Sequence, residues 1–487
     1  MAQTSVIEQQ PLYSKSNSSS PLPVSSEVIF TVSNNTAVAN ETKVKFVAEV
    51  HIGTQPINLS STNDLIATFK TTPNNAGVGI FDFQPIVESY VSSDNEAANN
   101  SEYKTTETTD TVKHPIHLID KFSKNVNLVR YFAIQFKVEY LGATDSAGNQ
   151  DNNVVRIQDG TAQNSDQFLL LNSYLKYTDV LRVDSNSNFG FNFVDFEPAI
   201  TFPAANTFKF LTNAPNQLYA NIEDYGTIAF LQTTSTDYNT TRKAVFTYYN
   251  SSGVSIGNES ITKNLANGLN FTYNSLSERQ VGYLGCYPAN LRNWSSTFQA
   301  LVTAGTIQGG YYTVAIQNGS SQGAFQTYTI NVQCPNERQY ESIRLCWLNQ
   351  WGVWDYYTFT LKSTRSIATS ETTYTQLKGT WNKSKYHISS FRGGNRAFRK
   401  NTTESIRVNT DYIKENENII FEELMNSPEV YLLEGYQDDL AFSSLNNYVT
   451  PVKLKTTTHT TKTVANDRLI QYTFEIEKSL TLRTQSV

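Results

Sequence analysis

A chain of 487 residues with 38 Lys and Arg against 44 Asp and Glu carries a net charge of −6 and a pI near 5.6. That balance offers no basic field for nucleic acid or anionic lipid. Charged residues are only 17% of the chain and aromatic residues 12%, with 28 Tyr and 27 Phe, a composition that points to β-rich, uncharged, contact-making surfaces rather than a helical enzyme.

The length prior gives about three domains, each large enough for a real core. The three cysteines, Cys286, Cys334 and Cys346, form an odd set with no CxxC spacing. They argue against a disulfide framework or a zinc site. Cys334 and Cys346 could pair, but a buried thiol is the simpler reading of each. No apolar run reaches the ~18 residues that span a bilayer, so no membrane partner is expected. The first twenty residues lack the basic and apolar regions of a signal peptide.

Residues 1–27 are polar, Ser-rich and punctuated by Pro11, Pro21 and Pro23. They read as a flexible arm that orders, if at all, against a neighbouring subunit. An N-terminal β domain follows over 28–200. In Lys43–His51, Val44, Phe46, Ala48 and Val50 alternate with Lys43, Lys45, Glu49 and His51, the pattern of a half-buried antiparallel strand. Phe81–Tyr90 is expected to hold one or two helical turns capped by Asp82. Residues 91–112 and 142–167 read as long polar loops. His114 and His117 flank Pro115, but no third or fourth metal ligand stands nearby in the sequence. Asn127–Leu141 is a strong strand, and Phe168–Tyr174 is a strand or a short helix.

A middle β-sandwich of immunoglobulin-like type is expected over 201–335, as a possible insertion. Its candidate strands are Thr207–Leu211, Thr227–Thr233, Lys243–Tyr249, Gly268–Tyr273, Thr297–Val302, Gly310–Ile316 and Ala324–Val332.

A C-terminal assembly domain is expected over 336–487. It opens on the chain's densest aromatic stretch, with Trp347, Trp351, Trp354, Tyr356, Tyr357 and Phe359 within Arg344–Lys362. Two strands joined at Gln350–Gly352 fit these residues. Aromatic residues then fall on both faces of the second strand, and Tyr357 and Phe359 are expected to meet another domain or subunit. Thr364–Thr375 reads as a polar stretch. The tract Lys383–Lys400, with Arg392, Arg396 and Arg399, is the densest positive region and suits an acidic neighbour. Glu415–Asn426 carries a helical pattern with Ile420 and Leu424 inward and Glu422 and Glu423 outward, stopped by Pro428. Val452–Thr463 and Arg468–Arg483 read as long antiparallel strands.

The class is therefore mainly β: several sandwich-like domains, long C-terminal strands and one or two short helices. No catalytic motif is present. Asp438-Asp439 and Glu422-Glu423 are adjacent carboxylates of the solvated or capping kind, and Asp355 among the tryptophans is the carboxylate to inspect. No catalytic, cofactor or metal residue is assigned.

Three stretches carry a resemblance. KFVAEVHIG with IATFKTTPNNAGVGIFDFQPIVESYV (45–91), RLCWLNQWGVWDYYTF (344–359) and FEELMNSPEVYLLEG with the closing strands (421–479) resemble structural proteins of tailed bacteriophages. The type is commonest in phages of Bacteroidetes hosts and in marine or crAss-like phages. The resemblance implies a non-enzymatic virion component of tail, neck or baseplate, made in the host cytoplasm. Its expected partners are further copies of itself in a homo-oligomeric ring and other tail or neck proteins. The expected assembly interface is Trp347, Trp351, Trp354, Tyr356, Tyr357, Phe359, Arg392, Arg396 and Arg399. A host surface glycan is the alternative partner; sequence-specific nucleic-acid binding is not expected.

Overall fold

The computed structural model describes residues 5–11, 20–93, 122–125, 127–145, 147–158, 162–174, 176, 210–232, 242–263, 280–318, 327–333, 340–435, 448–458, 460 and 470–483. Strands dominate these residues and assemble into five sheets; the helices are short. His114, His117, Cys334, Gly268–Tyr273 and Asp438-Asp439 lie outside the described residues.

The N-terminal unit is a sandwich. Strands Val6–Gln9, Ile29–Ser33 and Val78–Asp82 form one sheet. The other runs Ser20–Pro23, Phe168–Leu171, Val129–Leu141, Lys45–Gly53, Leu65–Thr71, with two short strands added on Val129–Leu141. Alternation along Lys45–Gly53 sends Phe46, Ala48 and Val50 into a core with Phe132, Ile134 and Phe136, facing Phe30, Phe81 and Phe83. Each buried Val, Ile or Phe side chain here contributes about 1.5–3 kcal/mol.

Three expectations change here. The described parts of 1–27 are not a free arm. Val6–Gln9 pairs with Ile29–Ser33, and Ser20–Pro23 lies parallel to Phe168–Leu171, with Leu22 and Val24 fully buried. Pro21 and Pro23 are tolerated because this is an edge strand. His51, placed with the solvated residues by alternation, is buried, because the second face of this sheet packs against the rest of the chain. Asp82 was expected to cap the short helix Gln84–Val87, but Phe83 is its N-cap residue and no side chain caps it; Asp82 Oδ1 accepts from Gln84 N at 3.0 Å from one residue further out.

The middle unit pairs a five-stranded sheet, ordered Gln217–Ala220, Tyr328–Val332, Tyr311–Asn318, Arg242–Tyr249, Ser255–Lys263, with a sheet of Thr227–Gln232, Gln280–Gly285 and Phe122–Asn125. The last strand comes from the N-terminal third of the sequence, so the units interlock. Phe246, Tyr248, Tyr312 and Val314 meet Ile228, Phe230 and Tyr283 between the sheets. Thr297–Val302, expected as a strand, lies in the helix Ser296–Thr303. Ser295 Oγ accepts from Phe298 N at 2.8 Å and caps it, and Phe298, Leu301 and Val302 recur at helical spacing.

The C-terminal unit is an eight-stranded sheet. Its order is Trp354–Phe359, Ile343–Leu348, Val430–Leu433, Val449–Leu454, Thr473–Lys478, Gly394–Asn409, Thr364–Gln376, with Leu482–Arg483 paired to Gly394–Asn409. The helix Asn418–Asn426 packs Ile420, Phe421 and Leu424 onto Trp347, Phe359 and Phe474. The two closing strands are shorter than the sequence suggests. The long pair is Thr364–Gln376 with Gly394–Asn409, of 13 and 16 residues, in the region read as a polar stretch and a basic tract.

Candidate functional site

The aromatic stretch forms the expected hairpin, with Ile343–Leu348 antiparallel to Trp354–Phe359. Gly352 supplies the turn at φ 71°, and a Cβ there would sit 2.0 Å from Asn172 O, so the N-terminal unit also presses on this turn. Both faces of the hairpin are covered within the chain. Cys346, Trp351, Trp354 and Tyr356 enter the middle core, while Trp347 and Phe359 enter the C-terminal core. Tyr357 is half-buried, with its ring 5.0 Å from Phe421 and its hydroxyl accepting from Asp411 N at 3.2 Å. The face that meets a neighbouring domain is thus that of Trp354 and Tyr356; Tyr357 and Phe359 meet the helix of their own domain. A strand buried on two sides needs aromatic residues on both, which is why the sequence pattern shows no solvated face.

Two polar clusters fix this junction, and neither carries a sequence motif. Arg344 donates from Nε to Tyr225 O at 2.8 Å and from Nη1 to Thr358 Oγ1 at 2.7 Å, and its Nη1 lies 3.4 Å from Asp224 Oδ2. Its guanidinium stacks 4.6 Å from the Tyr287 ring centroid and 5.1 Å from that of Tyr356. Thr358 Oγ1 donates to Asp224 Oδ2 at 2.7 Å, closing the network between middle and C-terminal units. In the second cluster, Asp355 Oδ1 accepts from Thr212 Oγ1 at 2.7 Å, and Glu423 Oε1 accepts from Asn213 Nδ2 at 2.5 Å. Burial pushes the Asp355 carboxyl up to about 6 and that of Glu423 to about 8, the latter raised further by the Asp355 charge. Glu423, read from helical periodicity as outward, is only 1% exposed. The residues that enclose it come from 213 and 350, far away in sequence.

Arg392, Arg396 and Arg399 lie elsewhere, on the long antiparallel ribbon. Asn401 and Thr402, which pair with Leu482–Arg483, are the last of its residues paired outside the ribbon among the described residues. From there six residues of one strand, seven of the other and a tip loop extend outward, roughly 20 Å for the strands alone at ~3.3 Å per residue. The tip is folded. Thr380 N donates to His387 O and Ser389 N to Lys378 O, each at 3.0 Å, and Arg396 Nη2 donates to Phe391 O. A bulge leaves Phe398 unpaired between Thr372 opposite Arg399 and Thr373 opposite Ala397. On this ordered frame Trp381 is 81% exposed, Ile388 74%, Ile367 71% and Phe391 70%. Such a concentration of exposed large apolar side chains marks an interaction surface.

Residues 372–403 contain seven Lys and Arg and no Asp or Glu. Lys400 lies 3.4 Å from Glu371 across the ribbon. Among the described residues, no carboxylate pairs with Lys378, Lys383, Lys385, Arg392, Arg396 or Arg399. The ribbon's outer strand, Thr364–Gln376, is also one edge of the eight-stranded sheet, whereas the opposite edge, Trp354–Phe359, is buried beneath the middle unit. Among the described residues one edge is closed and the other open.

Nothing in the described residues forms a group of three or more His, Cys, Asp or Glu suited to a metal ion, and no helix is long and apolar enough to cross a membrane. Cys286 and Cys346 are fully buried, Cys286 as a free thiol.

No family model matches the chain, and no curated protein matches it. Among solved structures, a cryo-EM reconstruction of the native conformation of E. coli alpha-2-macroglobulin is similar at 7% identity and a TM-score of 0.14, over 82% of this chain and 22% of that one. The chain thus spans about a fifth of that protein's length, and a likeness at this level carries no argument about fold or function.

Proposed function

We propose that the protein is a non-enzymatic structural component of a tailed-phage virion that assembles with further copies of itself into a ring of the tail, neck or baseplate. The observation that supports this best is the ribbon: a folded, basic, aromatic hairpin that projects from a sheet whose opposite edge is fully covered. An open strand edge of 13 residues with only Arg365 and Glu371 as charged residues is a template for pairing with another chain. Closed rings satisfy such edges through identical contacts repeated by symmetry. Because the tip is already ordered in one chain, little conformational entropy remains to be lost on docking.

Replacing residues 375–395 by Asn-Gly, a two-residue hairpin loop between the paired Tyr374 and Arg396, tests this reading. The shortened chain should melt as the parent does, since the removed residues touch no core. It should fail to form the annuli that the ring reading expects of the parent in negative-stain imaging. If the parent stays monomeric while its ribbon is needed to bind host cells, the ribbon is a glycan-binding appendage and the ring reading fails.

A further inference from the structure

The ribbon's chemistry selects its partner. Two ribbons cannot pair with each other face to face, because each brings seven basic residues and no acid between 372 and 403. A two-fold contact through the tips is thereby disfavoured, which leaves a head-to-tail contact between the ribbon and a different face. The rest of the chain, with 31 Lys and Arg against all 44 Asp and Glu, is more acidic than the whole. The receiving face must offer carboxylates and a recess for an aromatic or guanidinium side chain.

One cleft offers both. It lies where the turn Asn221–Tyr225 of the middle unit meets the start of Ile343–Leu348 and the end of Val430–Leu433, and it encloses about 260 Å³. That is below the ~300–1,000 Å³ of small-molecule sites and suits one or two inserted side chains. Glu223, Glu341 and Glu434 stand exposed around it, with Tyr340 half-exposed at the rim. The neighbouring cations neutralise this rim only in part, and Glu223 has no cation partner among the described residues. Arg365 is shared between Glu341 and Glu404, and Lys478 lies 3.1 Å from Glu404 but 3.8 Å from Glu434. Asp224 is occupied by Arg344 and Thr358. Arg344 itself lines the cleft with its side chain 5% exposed, and its buried Nη2 makes no hydrogen bond.

We infer that the ribbon tip of one copy docks into this cleft on the next copy, with Arg392, Arg396 and Arg399 against Glu223, Glu341 and Glu434. The contact rests on the ring reading above and names its two halves. Rim charges of this kind set the rate of encounter and the salt dependence of assembly.

Charge reversal on the full-length protein tests it, with sedimentation velocity as the readout and circular-dichroism melting as the control for folding. Arg392→Glu/Arg396→Glu/Arg399→Glu should weaken assembly at least ~10-fold, and Glu223→Lys/Glu434→Lys should weaken it equally. All five sites are at the surface, so both variants should melt as the parent does. A chain carrying both sets should assemble again, as should a mixture of the two variants. If the cleft variant assembles like the parent while the ribbon variant does not, the ribbon docks elsewhere: the inference falls and the ring reading stands. If neither variant changes assembly, or the parent never assembles, the ring reading falls with it. If the ribbon variant assembles normally but loses salt-dependent binding to a double-stranded oligonucleotide that the parent binds, the ribbon's partner is an anionic polymer and the inference is overturned.

Discussion

The buried carboxylates at the domain junction make stability fall as pH rises, and Glu423→Gln isolates the larger part of the effect. Glu423 moves from an ordinary value of 4.5 to about 8, and Asp355 from 3.8 to about 6, because burial penalises the charged forms. The nearby charges are Asp355, which raises Glu423, and Lys176, which lowers it and lies 3.4 Å from Glu422. Between roughly pH 4 and pH 8 the folded chain keeps protons that the unfolded chain has released. Folding free energy is therefore lost through that window, and the loss is complete above about pH 8. At about 1.4 kcal/mol per unit, the Glu423 shift alone costs the folded state on the order of 5 kcal/mol once ionised. Gln removes the charge and keeps Oε1 for Asn213 Nδ2. Urea unfolding, followed by tryptophan fluorescence of the hairpin at pH 5, 7 and 9, reads this directly. At pH 5 the variant and the parent should lie within about 1 kcal/mol, since Glu423 is then neutral in the folded parent and pH 5 is only about half a unit above its unfolded value. At pH 9 the variant should be more stable by several kcal/mol. A parent whose stability is flat from pH 5 to 9, or a variant with an unchanged profile, refutes the reasoning.

Other substitutions follow from the same junction. Arg344→Ala leaves Asp224 buried without its cation and should cost about 3–5 kcal/mol, seen as early release of the middle unit in limited proteolysis. Arg344→Met, which keeps the volume, should cost less if Asp224 is replaced by Asn in the same chain. Gly352→Ala places a Cβ 2.0 Å from Asn172 O in a left-handed backbone. It should destabilise by more than the ~1–2 kcal/mol of that conformation alone, and calorimetry should show the loss as a lowered melting temperature.

The core strands were legible because burial writes itself into the sequence. Lys45–Gly53, Val129–Leu141 and the aromatic hairpin alternate or saturate with apolar residues, and the structure places each in a sheet. The ribbon was not legible as two strands. Thr364–Gln376 is solvated on both faces over most of its length, so no period-two apolar signal exists, and its strand character comes from pairing with Gly394–Asn409. The helix Ser296–Thr303 was misread because Phe298, Leu301 and Val302 fit a short apolar run of either kind, and the Ser295 cap decides it.

By itself, then, the sequence determined a mainly β chain, the hairpin around Gly352 and the basic segment that became the ribbon tip. Periodicity and local charge are local quantities, and one strand's length suffices to show them. Tertiary structure alone decided which face of the hairpin meets the middle unit, that Arg344 faces Asp224, and that Glu423 is enclosed with Asp355 rather than solvated. Those facts depend on residues more than a hundred positions apart meeting in space. Side-chain burial there is a property of the neighbours, not of the residue's own stretch of chain.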